Sequence, residues 1–274
     1  MKRRLHNYEE KFVPVYGACH SDGLDDFVGL FERDRIPQSD CKDRPETYNY
    51  QVYVPRNWSK SQKWPVILFL HGAGERGDDG FVQTEVGIGT AIRKYNDRFP
   101  AVIVIPQCRK NVWWTEANME RQALQALEKS IKEFNGDRER LYLTGLSMGG
   151  YGTWSIAAKN PGMFAAFVPI CGGVIPPKGA NLPDSVNQLV NSPDPYGEVA
   201  RKIGKTPVWI FHGADDRVVP PDESRKMNEA LKTAGGDVKY TEYEKVAHDS
   251  WNKAYAEKEL MIWMLSKKKL NQIK

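Results

Sequence analysis

From about residue 48 onward, short apolar runs bounded by Gly and Pro alternate with longer segments whose apolar residues recur at helical spacing. The runs Tyr48 to Val54, Val66 to Leu70, Ala101 to Ile105, Leu141 to Thr144, Ala166 to Ile170, Val208 to Phe211 and Val238 to Tyr243 are predicted strands. Their near-continuous Val, Ile, Leu and Phe content suits strands buried on both faces. Three helices are predicted. In Asn118 to Phe134, residues Met119, Ala123, Ala126, Leu127, Ser130, Ile131 and Phe134 fall near one stripe, and Asn135-Gly136 ends it. Asp222 to Ala234 is stopped by Gly235-Gly236, and Ser250 to Leu265 carries Trp251, Tyr255, Leu260 and Trp263. This alternation predicts an α/β fold, a mostly parallel central sheet with helices on both faces in three layers.

Two stretches break the pattern. Residues 1–45 are less regular and are read as an N-terminal extension packed on the domain that spans 46–274. The segment from Gly172 to Thr206 is rich in Gly, Pro and Asn and reads as a long loop, a small lid-like insertion with one short helix.

Length and composition narrow the class. An α/β domain with one sheet reaches 274 residues as a single unit. With 41% hydrophobic and 27% charged residues the chain can bury a sizeable core. The net charge of +4 is small and mixed in sign, which argues against a nucleic-acid or membrane-surface partner. No apolar stretch approaches the roughly 18 residues of a membrane span. Met1-Lys2-Arg3-Arg4 resembles the start of a signal peptide, but Leu5 to Glu10 supplies no apolar core, so no export signal is expected within these residues. The compartment stays open. Cys19, Cys41, Cys108 and Cys171 lack the paired spacing of a zinc site. Cys108 and Cys171 each follow an apolar run and read as buried thiols, and a Cys19–Cys41 bridge is unsupported.

Chemistry concentrates in Gly145-Leu146-Ser147-Met148-Gly149, which follows an apolar strand and opens a helix carrying Tyr151, Trp154, Ile156 and Ala157. A bare Gly-x-Ser-x-Gly is a weak signal. A strand before it and a helix after it make a nucleophile elbow, in which Ser147 is lifted off the sheet and a Cβ at Gly145 or Gly149 would clash with its neighbours. A serine hydroxyl needs a base held by a carboxylate, and in this arrangement both follow the nucleophile. Of the five histidines only His212 and His248 do so. His212 ends an apolar run before Gly213 and is read as stabilising the strand-end turn, which leaves His248, on the loop before the last helix, as the base. The carboxylate is expected in Phe211-His212-Gly213-Ala214-Asp215-Asp216-Arg217-Val218-Val219-Pro220, where Asp216 is favoured and Asp215 is read as fixing the loop. Backbone N–H groups of Met148 and, from the Gly-rich loop after Leu70, of Ala73 are the expected oxyanion donors. No Gly-Lys-Ser/Thr follows that loop, so a P-loop is excluded.

Together, Leu68-Phe69-Leu70-His71-Gly72-Ala73-Gly74-Glu75-Arg76-Gly77, Gly145 to Trp154, His248-Asp249-Ser250-Trp251, and Pro106-Gln107-Cys108 followed by Trp113-Trp114 resemble the α/β-hydrolase superfamily. Within it they look like the phospholipase/carboxylesterase branch, close to polyhydroxybutyrate-depolymerase-like and feruloyl-esterase-like enzymes. The likeness runs from about residue 45 to the end. It implies an α/β-hydrolase fold and a serine esterase that works without cofactor or metal, through an acyl-enzyme carried by Ser147, Asp216 and His248.

The chain holds eight tryptophans and 12 tyrosines, and Trp113-Trp114 falls on a loop where active-site residues gather. The pair is expected to form an apolar or sugar-stacking wall. The expected substrate is a small-molecule ester with a short or aromatic acyl group, such as an acylated carbohydrate. Two other readings share these motifs: a prolyl-oligopeptidase-like peptidase, and a binding protein that keeps the fold without the chemistry.

Overall fold

Alternation at period two divides the strands between two cores. The computed structural model describes residues 12–16, 48–176 and 192–269. Eight strands form one sheet: β1 (Phe12–Tyr16), β2 (Asn49–Tyr53), β3 (Trp64–Leu70), β4 (Val102–Pro106), β5 (Gly136–Leu146), β6 (Ala166–Ile170), β7 (Val208–Gly213) and β8 (Val238–Tyr243). Their order is β1-β2-β4-β3-β5-β6-β7-β8. β2 runs antiparallel to β1 and to β4, and every other neighbouring pair is parallel.

Val66, Leu68, Leu70, Leu141 and Leu143 face one layer of helices, α2 (Ala117–Glu133), α3 (Met148–Lys159), α4 (Pro195–Ile203) and α5 (Asp222–Thr233). Ile67, Phe69, Tyr142, Val168 and Phe211 face the opposite layer, α1 (Ile88–Lys94), α6 (Trp251–Ala254) and α7 (Lys258–Leu265). The three-layer arrangement is the predicted one, because strands covered on both sides must be apolar at every position.

Three elements differ from expectation. The irregular N-terminal stretch contributes β1, an antiparallel edge strand paired from Phe12 opposite Tyr53 to Tyr16 opposite Asn49. Helix α1 was not predicted; Gly87, at φ 67°, precedes it and Gly89 lies inside it, against the Thr84 carbonyl. The segment Ser250 to Leu265, predicted as one helix, is two. Tyr255 is pulled under the sheet, where its hydroxyl meets Thr144 Oγ1 at 2.9 Å and its ring packs edge-on to Phe69. Glu257, two residues on, is extended and accepts the Tyr243 hydroxyl at 3.0 Å.

Within the Gly-rich stretch from Gly172 to Thr206, residues 177–191 lie outside the described residues, as does the Cys19–Cys41 pair. Helix α4 supplies the expected short helix, its N-terminus capped by Asp194, which accepts the Gly197 N–H. Cys108 and Cys171 are buried free thiols.

Candidate active site

Ser147 stands at the junction of β5 and α3 with φ 52° and ψ −117°, a region costly for any residue with a Cβ. Close packing enforces it. A Cβ on Gly145 would lie 2.3 Å from the Gly149 carbonyl oxygen, and one on Gly149 would lie 2.0 Å from that of Leu70. The Ser147 N–H donates to Ile170 O at 2.9 Å, and the Tyr151 N–H donates to Ser147 O at 3.1 Å, so the turn is pinned on both sides.

The loop after β7 brings Asp216, and the loop after β8 brings His248. His248 Nε2 lies 2.8 Å from Ser147 Oγ, and its Nδ1 lies 2.7 Å from Asp216 Oδ2. A carboxylate oxygen can only accept from Nδ1, so Nδ1 carries the hydrogen and Nε2 is left to accept the serine proton. Asp216 is buried, whereas Asp215 is exposed. Burial pushes the Asp216 carboxyl upward. Hydrogen bonds from His212, His248 and the Val219 amide outweigh that and hold it well below the usual carboxylate range. Its Oδ1 accepts the amides of Val218 (2.8 Å) and Val219 (3.0 Å).

The Gly-rich loop after β3 abuts the serine, since a Cβ on Gly72 would fall 3.9 Å from Ser147 Cβ. Ala73 opens a short 3-10 turn, Ala73–Glu75, and Met148 opens α3. First-turn amides have no acceptor within their own helix. The loop is held by His71, which stands in the sequence motif but to which the sequence assigns no role. Its Nε2 accepts the Cys108 N–H at 2.9 Å, its Nδ1 lies 2.6 Å from Gly72 O, and its carbonyl accepts Trp114 Nε1 at 3.0 Å. Burial lowers its pKa to about 4, so the ring is neutral. Arg76 adds a hydrogen bond to Ala73 O at 3.0 Å.

The two tryptophans part company. Trp114 is 0% exposed, edge-on to His71 and pressed against Gly152 of α3; it is core and cannot line a cleft, which corrects the expectation for that residue. Trp113 is partly exposed and stands edge-on to Tyr151, with Val219 in the same cluster beside the Asp216 loop. His212, read as bracing the strand end, does so by contacting Val219 O at 3.0 Å, and it also lies 3.2 Å from Asp216 Oδ2.

Cys171, Asp216 and His248 are the one group of three potential metal ligands among the described residues. Both Asp216 oxygens already accept hydrogen bonds, and burial pushes the Cys171 thiol well above its ordinary range. The set fits a hydrogen-bonded site better than a cation site.

Residues 104–260 match the model of the dienelactone hydrolase family. An acetylxylan esterase A of Emericella nidulans is 23% identical over 211 residues, 67% of this chain and 66% of the relative. A feruloyl esterase B of Neurospora crassa is 26% identical over 213 residues, 69% of each chain. Among solved structures, a thermostable esterase superposes with a TM-score of 0.69 at 32% identity, over 86% of this chain and 63% of that one. The chain therefore spans about two thirds of the length of these relatives. An acylaminoacyl peptidase of Pyrococcus horikoshii, with a TM-score of 0.62 at 19% identity over 84% of this chain and 41% of that one, shares the fold.

Proposed function

The chain belongs to the dienelactone hydrolase family of α/β-hydrolases, and on that premise we propose that it is a serine esterase cleaving short-chain or aromatic acyl esters, including those carried on carbohydrate. The observation that carries the reading is the unbroken series Ser147 Oγ, His248 Nε2, His248 Nδ1 and Asp216 Oδ2, with steps of 2.8 and 2.7 Å. Ser147 attacks the ester carbonyl as His248 takes its proton, and Asp216 stabilises the imidazolium. The amides of Ala73 and Met148 receive the oxyanion. The alcohol leaves with the proton from His248, and a water repeats the sequence to release the acid. These residues complete both half-reactions without a cofactor.

The substrate class rests on two supports. The names of the relatives, acetylxylan esterase and feruloyl esterase, point to acetyl and hydroxycinnamoyl esters on polysaccharide. Trp113, partly exposed and edge-on to the buried Tyr151, supplies aromatic surface near the nucleophile, because the Tyr151 N–H donates to Ser147 O at 3.1 Å. The test is turnover of p-nitrophenyl acetate, butyrate and decanoate and of methyl ferulate, beside Ser147→Ala. Acetate and ferulate are expected to be cleaved faster than decanoate. A preference for decanoate overturns the acyl assignment. Cleavage of a dipeptide nitroanilide without ester turnover makes the protein a peptidase, and failure of Ser147 to label with a fluorophosphonate makes it a binding protein.

A further inference from the structure

Asp216 serves two histidines. Its Oδ2 lies 2.7 Å from His248 Nδ1 and 3.2 Å from His212 Nε2, and the His212 side chain is 0% exposed. The other neighbour of His212 Nε2 is Val219 O at 3.0 Å. Both neighbours are pure acceptors, so Nε2 carries the hydrogen. His212 Nδ1 then accepts from Ser224 Oγ, 2.7 Å away on α5 and likewise buried. The groups form a directed series: Ser224 O–H to His212, His212 N–H bonded to Val219 O with Asp216 Oδ2 as its second acceptor at 3.2 Å, His248 N–H to Asp216, and Ser147 O–H to His248.

From this geometry, and resting on the reading of Ser147, His248 and Asp216 given above, we propose that His212 is a positioning residue that sets the base strength of His248 through the carboxylate they share. The physical reason lies at Oδ2. One carboxylate oxygen bonded by the His248 N–H and faced at 3.2 Å by the His212 N–H, which Val219 O shares, spreads its charge over both, so the pull of Asp216 on the His248 proton is moderated. The second donor also fixes the direction of Oδ2. Oδ1 is held by the amides of Val218 and Val219, and with Oδ2 held by His212 the carboxylate cannot rotate away when His248 turns during the proton transfers. A brace for the strand-end turn alone would need only the bond to Val219 O.

Other ionisable groups surround this pair. Glu242 is the register partner of His212 on β8 and is itself paired with Arg225. Glu223 precedes Ser224 on α5, Cys171 lies just after β6 with its Sγ within 4.8 Å of an Asp216 carboxylate oxygen, and Tyr151 on α3 packs against Val219. None of them is altered by the substitutions below.

The test is steady-state hydrolysis of p-nitrophenyl acetate across the acid limb by wild type, His212→Leu, His212→Gln and Ser224→Ala. Loss of a hydrogen bond to a charged group predicts that kcat falls about 10- to 100-fold in His212→Leu with KM little changed. With one donor gone, Asp216 holds the His248 proton more tightly, so the acid limb of kcat/KM moves up by about one pH unit. His212→Gln keeps an N–H near the Nε2 position and is expected to restore most of kcat and return the limb. Ser224→Ala weakens the donor and is expected to move the limb the same way by less; it decides the matter if His212→Leu does not fold. A limb that stays at the wild-type position in the folded variants, or a Gln variant as impaired as the Leu variant, overturns the proposal. Turnover that survives Ser147→Ala defeats instead the esterase reading beneath it, a result distinct from an unmoved limb in an enzyme that needs Ser147.

Discussion

Gly149 lies so close to Leu70 that a Cβ on the glycine would stand 2.0 Å from the leucine carbonyl oxygen and 2.8 Å from that of His71. The obstacle is backbone of the central strand, which cannot swing aside as a flexible side chain can. Gly149→Ala is therefore expected to push the start of α3 away from β3, carrying Ser147 and the Met148 amide with it. We expect a loss of about 3 kcal/mol in urea unfolding and loss of fluorophosphonate labelling in whatever folds. A variant of wild-type stability and reactivity would show that the elbow has slack.

The adjacent aspartates give a cleaner separation. Asp216 is buried against His248 and His212, while Asp215 is exposed and donates its N–H to Val246 O at 2.9 Å. Asp216→Asn places an amide where His248 Nδ1–H needs an acceptor and favours the wrong tautomer, so kcat is expected to fall by about four orders of magnitude. Asp215→Asn keeps the backbone bond and is expected to stay within about twofold of wild type. Comparable losses in the two variants would return the acid to the undecided state of the sequence.

That contrast marks what was legible in the chain. The elbow could be read because Gly145 and Gly149 answer a local backbone demand, and the order Ser147, Asp216, His248 follows from strand succession. The preference for Asp216 over Asp215 rested on likeness to esterases of this fold, and the burial that separates them is a property of the folded loop. His212 was half-read. Its place at a strand end is local, but its contact with Asp216 exists only once the turn closes. Trp114 was misread because adjacent aromatics on a loop do not reveal which ring turns inward; Gly152, whose missing side chain makes room for it, was the available signal. The break in the final helix was invisible, since Tyr255-Ala256-Glu257 holds neither Gly nor Pro, and tertiary bonds to Thr144 and Tyr243 impose it.

His71 ties the Gly-rich loop after β3 to a pH window. Burial lowers its pKa from 6.5 to about 4, so below 6.5 the unfolded chain binds a proton that the folded chain refuses. Stability rises with pH wherever the unfolded state holds more protons, so this contribution is complete above 6.5 and is lost as pH falls toward 4. The loss amounts to about 3 kcal/mol for a group this deeply buried. His71→Gln retains an acceptor for the Cys108 N–H and removes the titration. Urea midpoints measured between pH 4 and 6.5 are expected to fall less steeply in the variant than in wild type, and parallel slopes would mean that other groups dominate the acid response. Asp216 acts lower. Its folded pKa is depressed, so its stabilisation is present above its unfolded value and is lost only as pH falls beneath it.

The two neighbouring tryptophans should fail in different measurements. Trp114 is fully buried, donates to His71 O and packs on Gly152, so Trp114→Ala removes a large core side chain and is expected to cost about 3–5 kcal/mol. The cavity would lie directly beneath the loop that carries Ala73, so kcat should fall for every ester alike in the fraction that remains folded. Trp113 is held edge-on to Tyr151 and stays partly exposed. Trp113→Ala should leave the unfolding midpoint nearly unchanged and raise KM for methyl ferulate several-fold while sparing methyl acetate, which offers no ring to stack. Equal effects on the two esters would remove Trp113 from the substrate surface. A stability loss matching that of Trp114→Ala would make the partly exposed ring as structural as its buried neighbour.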